Sequence, residues 1–330
     1  MKKITVIGFG SWGIALARLL AKNGNSVVLW EDNPMLAQKL ESDRENKDFL
    51  PGIIIPDAVE ITSSLEIAVR DSEIFVFAVT SKAIYDAASI LRPHFKEGHI
   101  LVNASKGLIE NRQMRICELL EEMAPVCKIA CLTGPSHAEE VGRHMPTAVV
   151  AASRCEHTAE AVQDAFSGNN FRVYTSPDIV GAELGGVIKN VIALAAGIVD
   201  GLKFGDNTKA ALMTRGMAEI ARLGMAMGAD EHTFAGLSGI GDLIVTCTSK
   251  HSRNWRAGSL LAEGKSAEEV LKEVNMAVEG IFTAKTALVL AKRYSVDMPI
   301  VEEINKILFE GKSPEDAVVS LMLRDKKDEH

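Results

Sequence analysis

Several common signatures are scarce or missing in this 330-residue chain. Its five cysteines, Cys117, Cys127, Cys131, Cys155 and Cys247, form no short metal-binding pair with a nearby histidine. Six of the eight histidines, His94, His99, His144, His157, His232 and His330, are scattered, and His137 and His251 merely adjoin motifs, so no metal site is expected. The odd cysteine count, and an N-terminal apolar stretch that runs straight into a glycine turn instead of a cleavage-like tail, set the expectation of a cytoplasmic, reduced protein. The longest apolar run, Val191–Val199, falls far short of the roughly 20 residues a bilayer requires, which excludes stable membrane insertion. There is no internal repeat and no low-complexity segment. Nor is there a basic excess: 36 Lys and Arg against 44 Asp and Glu give a net charge of −8. That balance argues against non-specific binding of nucleic acid, so an anionic ligand has to be met by a few local cations.

What the chain does have is ordinary globular composition, 47% hydrophobic and 24% charged, at a length that predicts about two domains. The first half alternates strands and helices. Ile4–Ile7 reads as a β-branched strand and Ile14–Lys22 as a helix closed by Asn23-Gly24. A second strand follows at Val27–Trp30, then a helix around Pro34–Leu40. Ile74–Val79, Ile100–Asn103, Ile129–Leu132, Ala148–Ala151 and Arg172–Tyr174 are further strands, and Leu40–Ser64 reads as a loop-rich insertion. Repeated βα units predict an N-terminal, doubly wound Rossmann-type sheet domain. After the turn-forming Ser176-Pro177-Asp178, helical patterns dominate at Ala182–Gly201, Asn207–Met227, Ala267–Glu273, Thr283–Lys292, Pro299–Phe309 and Pro314–Leu323. The expected division is therefore a dinucleotide-binding domain over 1–178 and an all-helical substrate domain over 179–330. The charged tail, Arg324–His330, reads as a frayed, solvated end.

Gly8-Phe9-Gly10-Ser11-Trp12-Gly13 fits G-x-G-x-x-G directly after a strand and before a helix. Glycines there permit a tight turn and close approach of a pyrophosphate to the helix N-terminus. About 20 residues further on, Glu31 and Asp32 end the second strand, where an acid accepts from the ribose 2′-hydroxyl and repels a 2′-phosphate. Four more clusters stand out. Asn103-Ala104-Ser105-Lys106-Gly107-Leu108 puts a lysine at a strand's carboxyl end, and Leu132-Thr133-Gly134-Pro135-Ser136-His137-Ala138 leaves room at another. Glu183-Leu184-Gly185-Gly186-Val187-Ile188-Lys189-Asn190 holds a lysine on an otherwise apolar helix, where a charge should be paired or used. Gly239-Ile240-Gly241-Asp242-Leu243 is followed by Ser252-Arg253-Asn254, in which an arginine with hydroxyl and amide neighbours suits a phosphate.

Taken together, G-F-G-S-W-G, N-A-S-K-G, T-G-P-S-H-A, K-N-V-I-A, G-x-G-D-L and S-R-N resemble the NAD(P)-dependent glycerol-3-phosphate dehydrogenase family in order and spacing, over essentially the whole chain. The resemblance implies a C-terminal helical domain of the 6-phosphogluconate-dehydrogenase-like type. It also implies reversible reduction of dihydroxyacetone phosphate to sn-glycerol 3-phosphate, which supplies phospholipid synthesis, and a homodimer. By motif, Lys189 would be the general acid/base, its pKa lowered by burial and by Lys106, with Asp242 and Asn190 orienting either Lys189 or a substrate hydroxyl. Substrate contacts would come from Lys106, Gly134, Ser136, Lys189, Asp242, Thr246, Ser252, Arg253 and Asn254. NAD or NADP would be held by Gly8, Gly10, Ser11, Trp12, Gly13, Glu31, Asp32, Lys106, Ala138, Arg253, Val278 and Glu279. One departure bears on cofactor choice. Where the bacterial family commonly has a small residue and then a histidine or arginine, this chain has Glu31 and Asp32, which favours NAD. The rival readings are a β-hydroxyacid dehydrogenase, whose substrate carries a carboxylate, and a non-catalytic dinucleotide sensor, which would not need Lys106, Lys189 and Asp242 together.

Overall fold

The computed structural model describes residues 2–326, 328 and 329. By packing, the chain forms two units: residues 1–109 with 114–183, and residues 110–113 with 184–330. The first unit is built on an eight-stranded sheet. Along the chain it runs β1 (Lys3–Ile7), α1 (Ser11–Lys22), β2 (Ser26–Trp30), α2 (Pro34–Asp43), β3 (Val59–Thr62), α3 (Leu65–Val69), β4 (Ile74–Phe77), α4 (Ile84–Leu91) and β5 (Ile100–Asn103). A short hairpin, β6 (Leu108–Ile109) and β7 (Met114–Arg115), leads to α5 (Ile116–Met123), β8 (Lys128–Thr133), α6 (Ala138–Gly142), β9 (Thr147–Ala152), α7 (Glu156–Phe166) and β10 (Phe171–Ser176).

The strand order is β10-β9-β8-β5-β4-β1-β2-β3. Every neighbouring pair is parallel except β8 with β9, which are antiparallel, so the sheet is mixed. From β3 across to β8 the strands are mutually parallel, and their carboxyl ends therefore share one edge. In register, Ile7 stands beside Trp30 and Phe77, Phe77 beside Asn103, and Asn103 beside Cys131. The order reverses between β1 and β4, the switch point at which open α/β sheets take ligands. The central strands are apolar on both faces: Ile4, Val6, Phe75, Val76 and Phe77 are fully buried. Helix α1 closes one face with Ile14, Leu16, Ala17 and Leu20, also fully buried.

The stretch 40–64 does hold a loop-rich insertion, residues 44–58 carrying no helix or extended strand, and it also supplies β3, which pairs with β2 from Val27↔Val59 to Trp30↔Thr62 and extends the sheet. The strand alternates buried Val59 and Ile61 with exposed or half-buried Glu60 and Thr62, as a sheet-edge strand covered on one face should.

The second unit is helical: α8 (Ile179–Gly201, whose first turn lies in the first unit), α9 (Gly205–Ala226), α10 (Glu231–Phe234), α11 (Asp242–Thr248), α12 (Arg253–Ala262), α13 (Ala267–Val274), α14 (Glu279–Arg293), α15 (Pro299–Phe309) and α16 (Pro314–Met322). A π-helical turn, Leu237–Gly241, leads directly into α11. Several ends are written in the sequence. Ser313 caps α16 by accepting from the Asp316 N–H at 3.0 Å, and Ser266 with Glu269 forms a capping box on α13. Helix α8 is long and apolar enough to cross a membrane, but nearly all of it is buried inside the protein as a core helix. The described part of the tail, residues 324–326, 328 and 329, is exposed and carries no helix or strand; its surface contacts are Arg324 with Asp297 at 2.7 Å and Arg215 donating to the Glu329 carbonyl at 2.9 Å. Lys327 and His330 lie outside the described residues.

Candidate functional site

In the first unit, the predicted residues collect along the carboxyl edge of the sheet. Gly8 leaves β1 at φ 109°, where a side chain would be strained, and a Cβ there would lie 2.7 Å from Val79 Cγ1. A Cβ on Gly13 would run into the Gly8 carbonyl oxygen, so the first turn of α1 packs directly on the glycine turn. Gly10 differs: a Cβ there would meet nothing within 4 Å, which leaves its backbone bare toward open space. Helix α1 has no side-chain cap and no acid in its first turn. Bare amides at a helix N-terminus, beside a glycine with room above it, fit a pyrophosphate.

The turn is tied to its neighbours. The Trp12 indole N–H donates to the Ala104 carbonyl at 3.0 Å, joining α1 to the Lys106 loop. At the end of β2, Glu31 is half-buried and Asp32 exposed. Burial, together with a hydrogen bond to Asp32 and its charge, pushes the Glu31 carboxyl up to about 7, although backbone N–H groups of Asn33 and Phe9 pull the other way. The contact with Phe9 places this acid against the glycine turn.

Beyond β5 and β8, three predicted substrate residues come together. Lys106 Nζ donates to the Gly134 carbonyl at 3.1 Å, and Ser136 Oγ donates to the same oxygen at 2.8 Å. Gly134 has φ 141° and stands so close to β9 that a Cβ would lie 3.0 Å from Val149 Cα. Ala138, buried, begins α6.

In the second unit, the candidate residues form a buried polar cluster on four helices. Lys189 on α8 is 3% exposed and donates to Asp242 Oδ1 at 2.6 Å and Thr246 Oγ1 at 2.5 Å. Thr246 in turn donates to the Asp242 carbonyl at 2.6 Å. A buried ammonium needs an anion, and Asp242 at the start of α11, itself 1% exposed, supplies it. The neighbouring Asn190 accepts from Asn254 Nδ2 at 2.9 Å, and Asn254 Oδ1 accepts from the Gly280 N–H at 2.9 Å. That chain links α8, α12 and the first turn of α14, where Val278 is buried and Glu279 half-buried. Ser252 is the N-cap of α12, accepting from the Trp255 N–H at 3.2 Å, and places Arg253 at the helix's first position. Helices α8 and α12 approach through Gly197 and Gly258; a Cβ on Gly197 would lie 2.9 Å from Gly258 Cα. Cys247 beside this cluster is buried, which pushes its thiol up to about 12 despite the nearby Lys189, so it is no thiolate nucleophile. Among the described residues no group of His, Cys, Asp or Glu is arranged to hold a metal ion.

Sequence reasoning quotes Asn103 and Glu183 without giving them a role and passes over Arg115 and Asp200. Glu183 is 1% exposed and accepts from Arg115 Nη1 at 2.7 Å, from the Cys117 N–H at 2.9 Å and from Asn103 Nδ2 at 3.1 Å. Asp200 takes the Trp255 indole N–H at 2.6 Å and Lys209 Nζ at 2.5 Å. In both cases the available signal is a lone carboxylate within an apolar helix, which has to be paired when buried.

Two family models together match most of the chain. The NAD-dependent glycerol-3-phosphate dehydrogenase N-terminus matches residues 3–159 and the corresponding C-terminus matches 178–319. The chain belongs to the NAD-dependent glycerol-3-phosphate dehydrogenase family. It is 52% identical to a glycerol-3-phosphate dehydrogenase [NAD(P)+] of Agathobacter rectalis, over all of this chain and 98% of that one. It is 51% identical to the Bacillus subtilis enzyme of the same name, over all of this chain and 96% of that one. A crystal structure of glycerol-3-phosphate dehydrogenase from Coxiella burnetii superposes with a TM-score of 0.94 at 33% identity, over 98% of this chain and 99% of that one. As a member of this family the protein is an oxidoreductase with NAD(P)-dependent glycerol-3-phosphate dehydrogenase activity, working in phospholipid biosynthesis. The sheet domain followed by a helical domain is the family's fold.

Proposed function

We propose that Lys189 carries the proton in the reversible reduction of dihydroxyacetone phosphate to sn-glycerol 3-phosphate. When bound, the reduced nicotinamide supplies a hydride to the ketone carbon. Lys189 gives a proton to the ketone oxygen, and its charge stabilises the alkoxide as it develops; in the reverse direction it takes that proton back. Asp242 and Thr246 hold the ammonium in place, and Asp242 also orients the substrate's terminal hydroxyl. Asn190 fixes the register of α8 against α12 and, with Asn254, the approach to substrate hydroxyls. Lys106, Gly134 and Ser136 hold the substrate from the sheet edge, and Ser252 with Arg253 meets its phosphate, a guanidinium being suited to bidentate contact with phosphate oxygens. The observation that carries this reading is the Lys189–Asp242–Thr246 cluster, a charged lysine buried in a core helix with two acceptors at hydrogen-bond distance.

The cofactor residues fit a dinucleotide: Gly8, Gly10, Ser11 and Gly13 at the pyrophosphate, Glu31 and Asp32 at the adenosine ribose, and Trp12, Ala138, Arg253, Val278 and Glu279 along the remainder. We take NADH to be used at least as well as NADPH, supported by the two acids at the end of β2. The protein works as a homodimer in the cytoplasm, a reading taken from its family and composition; its sedimentation mass tests the first part.

The experiment is NADH oxidation with dihydroxyacetone phosphate measured beside short keto acids, the substrates of a β-hydroxyacid dehydrogenase. Rapid turnover confined to the triose phosphate is expected. Equal or better turnover of a keto acid would overturn the assignment of Ser252 and Arg253 to a phosphate.

A further inference from the structure

The buried Glu183 network has no part in the proton or hydride step, yet it ends on the loop that carries Lys106. We infer that Glu183 is a positioning residue, which orients the Asn103 amide and through it the backbone turn that delivers Lys106 to the Gly134 carbonyl.

An ionised carboxylate only accepts hydrogen bonds. Glu183 Oε1 faces Asn103 Nδ2 at 3.1 Å and so fixes which way round the amide sits. The Asn103 oxygen is then turned to the Ser105 N–H, which donates to it at 3.0 Å. Ser105 Oγ donates to the Phe77 carbonyl at 3.2 Å, tying the same turn to β4, and Lys106 follows with its ammonium 3.1 Å from the Gly134 oxygen. A flipped amide would set its oxygen against the carboxylate and its NH₂ against the Ser105 N–H, so only one arrangement satisfies all the groups. Arg115, 5% exposed, balances the carboxylate, and the Cys117 N–H takes a share of Oε1. A buried ion pair is often matched in stability by apolar residues of the same volume. Packing alone therefore does not call for an acceptor-only group facing Asn103, whereas a fixed amide does.

The inference rests on Lys106 being a substrate contact, and the test separates the two claims. Wild type, Lys106→Ala, Glu183→Gln and the double variant are compared by kcat/KM for dihydroxyacetone phosphate at saturating NADH, with a melting curve of each variant as the check on folding. We expect Glu183→Gln to lower kcat/KM about tenfold. The double variant should be no worse than Lys106→Ala alone, since a residue acting through Lys106 has nothing left to act on. If the two losses multiply, Glu183 acts some other way and the inference is wrong while the Lys106 reading stands. If Lys106→Ala leaves kcat/KM unchanged, both are wrong. Should Glu183→Gln fail to fold with Arg115 left unbalanced, Asn103→Ala cuts only the link to the loop and keeps the Glu183–Arg115 pair. The same non-additivity with Lys106→Ala is expected, and multiplying losses would again overturn the inference.

Discussion

Cofactor preference should depend on pH through one side chain. Glu31 ends β2 with its carboxyl pushed up to about 7, chiefly by burial and then by Asp32. It is therefore about one-tenth ionised at pH 6 and nine-tenths ionised at pH 8. A unit charge about 4 Å from a phosphate oxygen costs about 1 kcal/mol in water and about 4 kcal/mol at the effective dielectric of a protein surface. Because Glu31 is only half-buried, the lower end applies, about 1–2 kcal/mol, or a factor of roughly 5–30. The sign follows directly: ionisation penalises the 2′-phosphate and strengthens acceptance from a 2′-hydroxyl. The ratio of kcat/KM for NADH to that for NADPH should thus rise at least about fivefold between pH 6 and pH 8.5. The 2′-phosphate itself loses a proton near pH 6 and adds to the trend. Glu31→Gln keeps an acceptor for the Phe9 N–H but cannot ionise, so it isolates the side chain's share, and its ratio should rise much less. A flat ratio in the wild type, or the same rise in Glu31→Gln, would refute the reasoning. A strong NADPH advantage at pH 8.5 would sink the cofactor assignment altogether.

Other consequences concern backbone contacts and stability. Gly10→Ala adds a methyl to open space and should leave the thermal midpoint nearly unchanged while weakening NADH binding at least about tenfold; Gly13→Ala, which strikes the Gly8 carbonyl, should lose both. Titration of NADH against each variant, beside its melting curve, checks the contrast. Glu219, 2% exposed, accepts from the Ile300 N–H at 2.8 Å, and burial pushes it up to about 7 against an ordinary 4.5. Since the folded value is raised, its contribution is fully present below about pH 4.5 and is lost as pH rises through 7, by about 3 kcal/mol at most. Glu219→Gln removes that loss, so urea unfolding at pH 5 and pH 8 should show the variant gaining on the wild type at the higher pH; an equal deficit at both would contradict it.

Much of the first unit is legible from its β-branched runs, because strands buried on both faces leave continuous apolar stretches such as Ile74–Phe77. The edge strand β3 escapes notice since four residues, Val-Glu-Ile-Thr, alternate too briefly to stand out from the surrounding turns. The antiparallel course of β9 is invisible for a different reason: side-chain alternation does not record strand direction. Helices α11 and α12 go unread because Ser238, Gly239 and Gly241 lie in the π-helical turn before one and the glycine-bearing α12 packs closely on α8, both tertiary features. At the site, Lys189 and Asp242 are readable as charges in apolar or glycine-rich settings, although 53 residues separate them and only the fold brings them to 2.6 Å. Glu183 carries the same signal, but its partners Asn103 and Arg115 lie 80 and 68 residues away, so nothing local says what it holds.

The most direct test of the central claim is the turnover number for NADH oxidation with saturating dihydroxyacetone phosphate in Lys189→Ala. Loss of a positioned general acid should lower kcat at least about 10²-fold relative to the wild type. An unchanged kcat in the folded variant would contradict it and place the proton donor elsewhere.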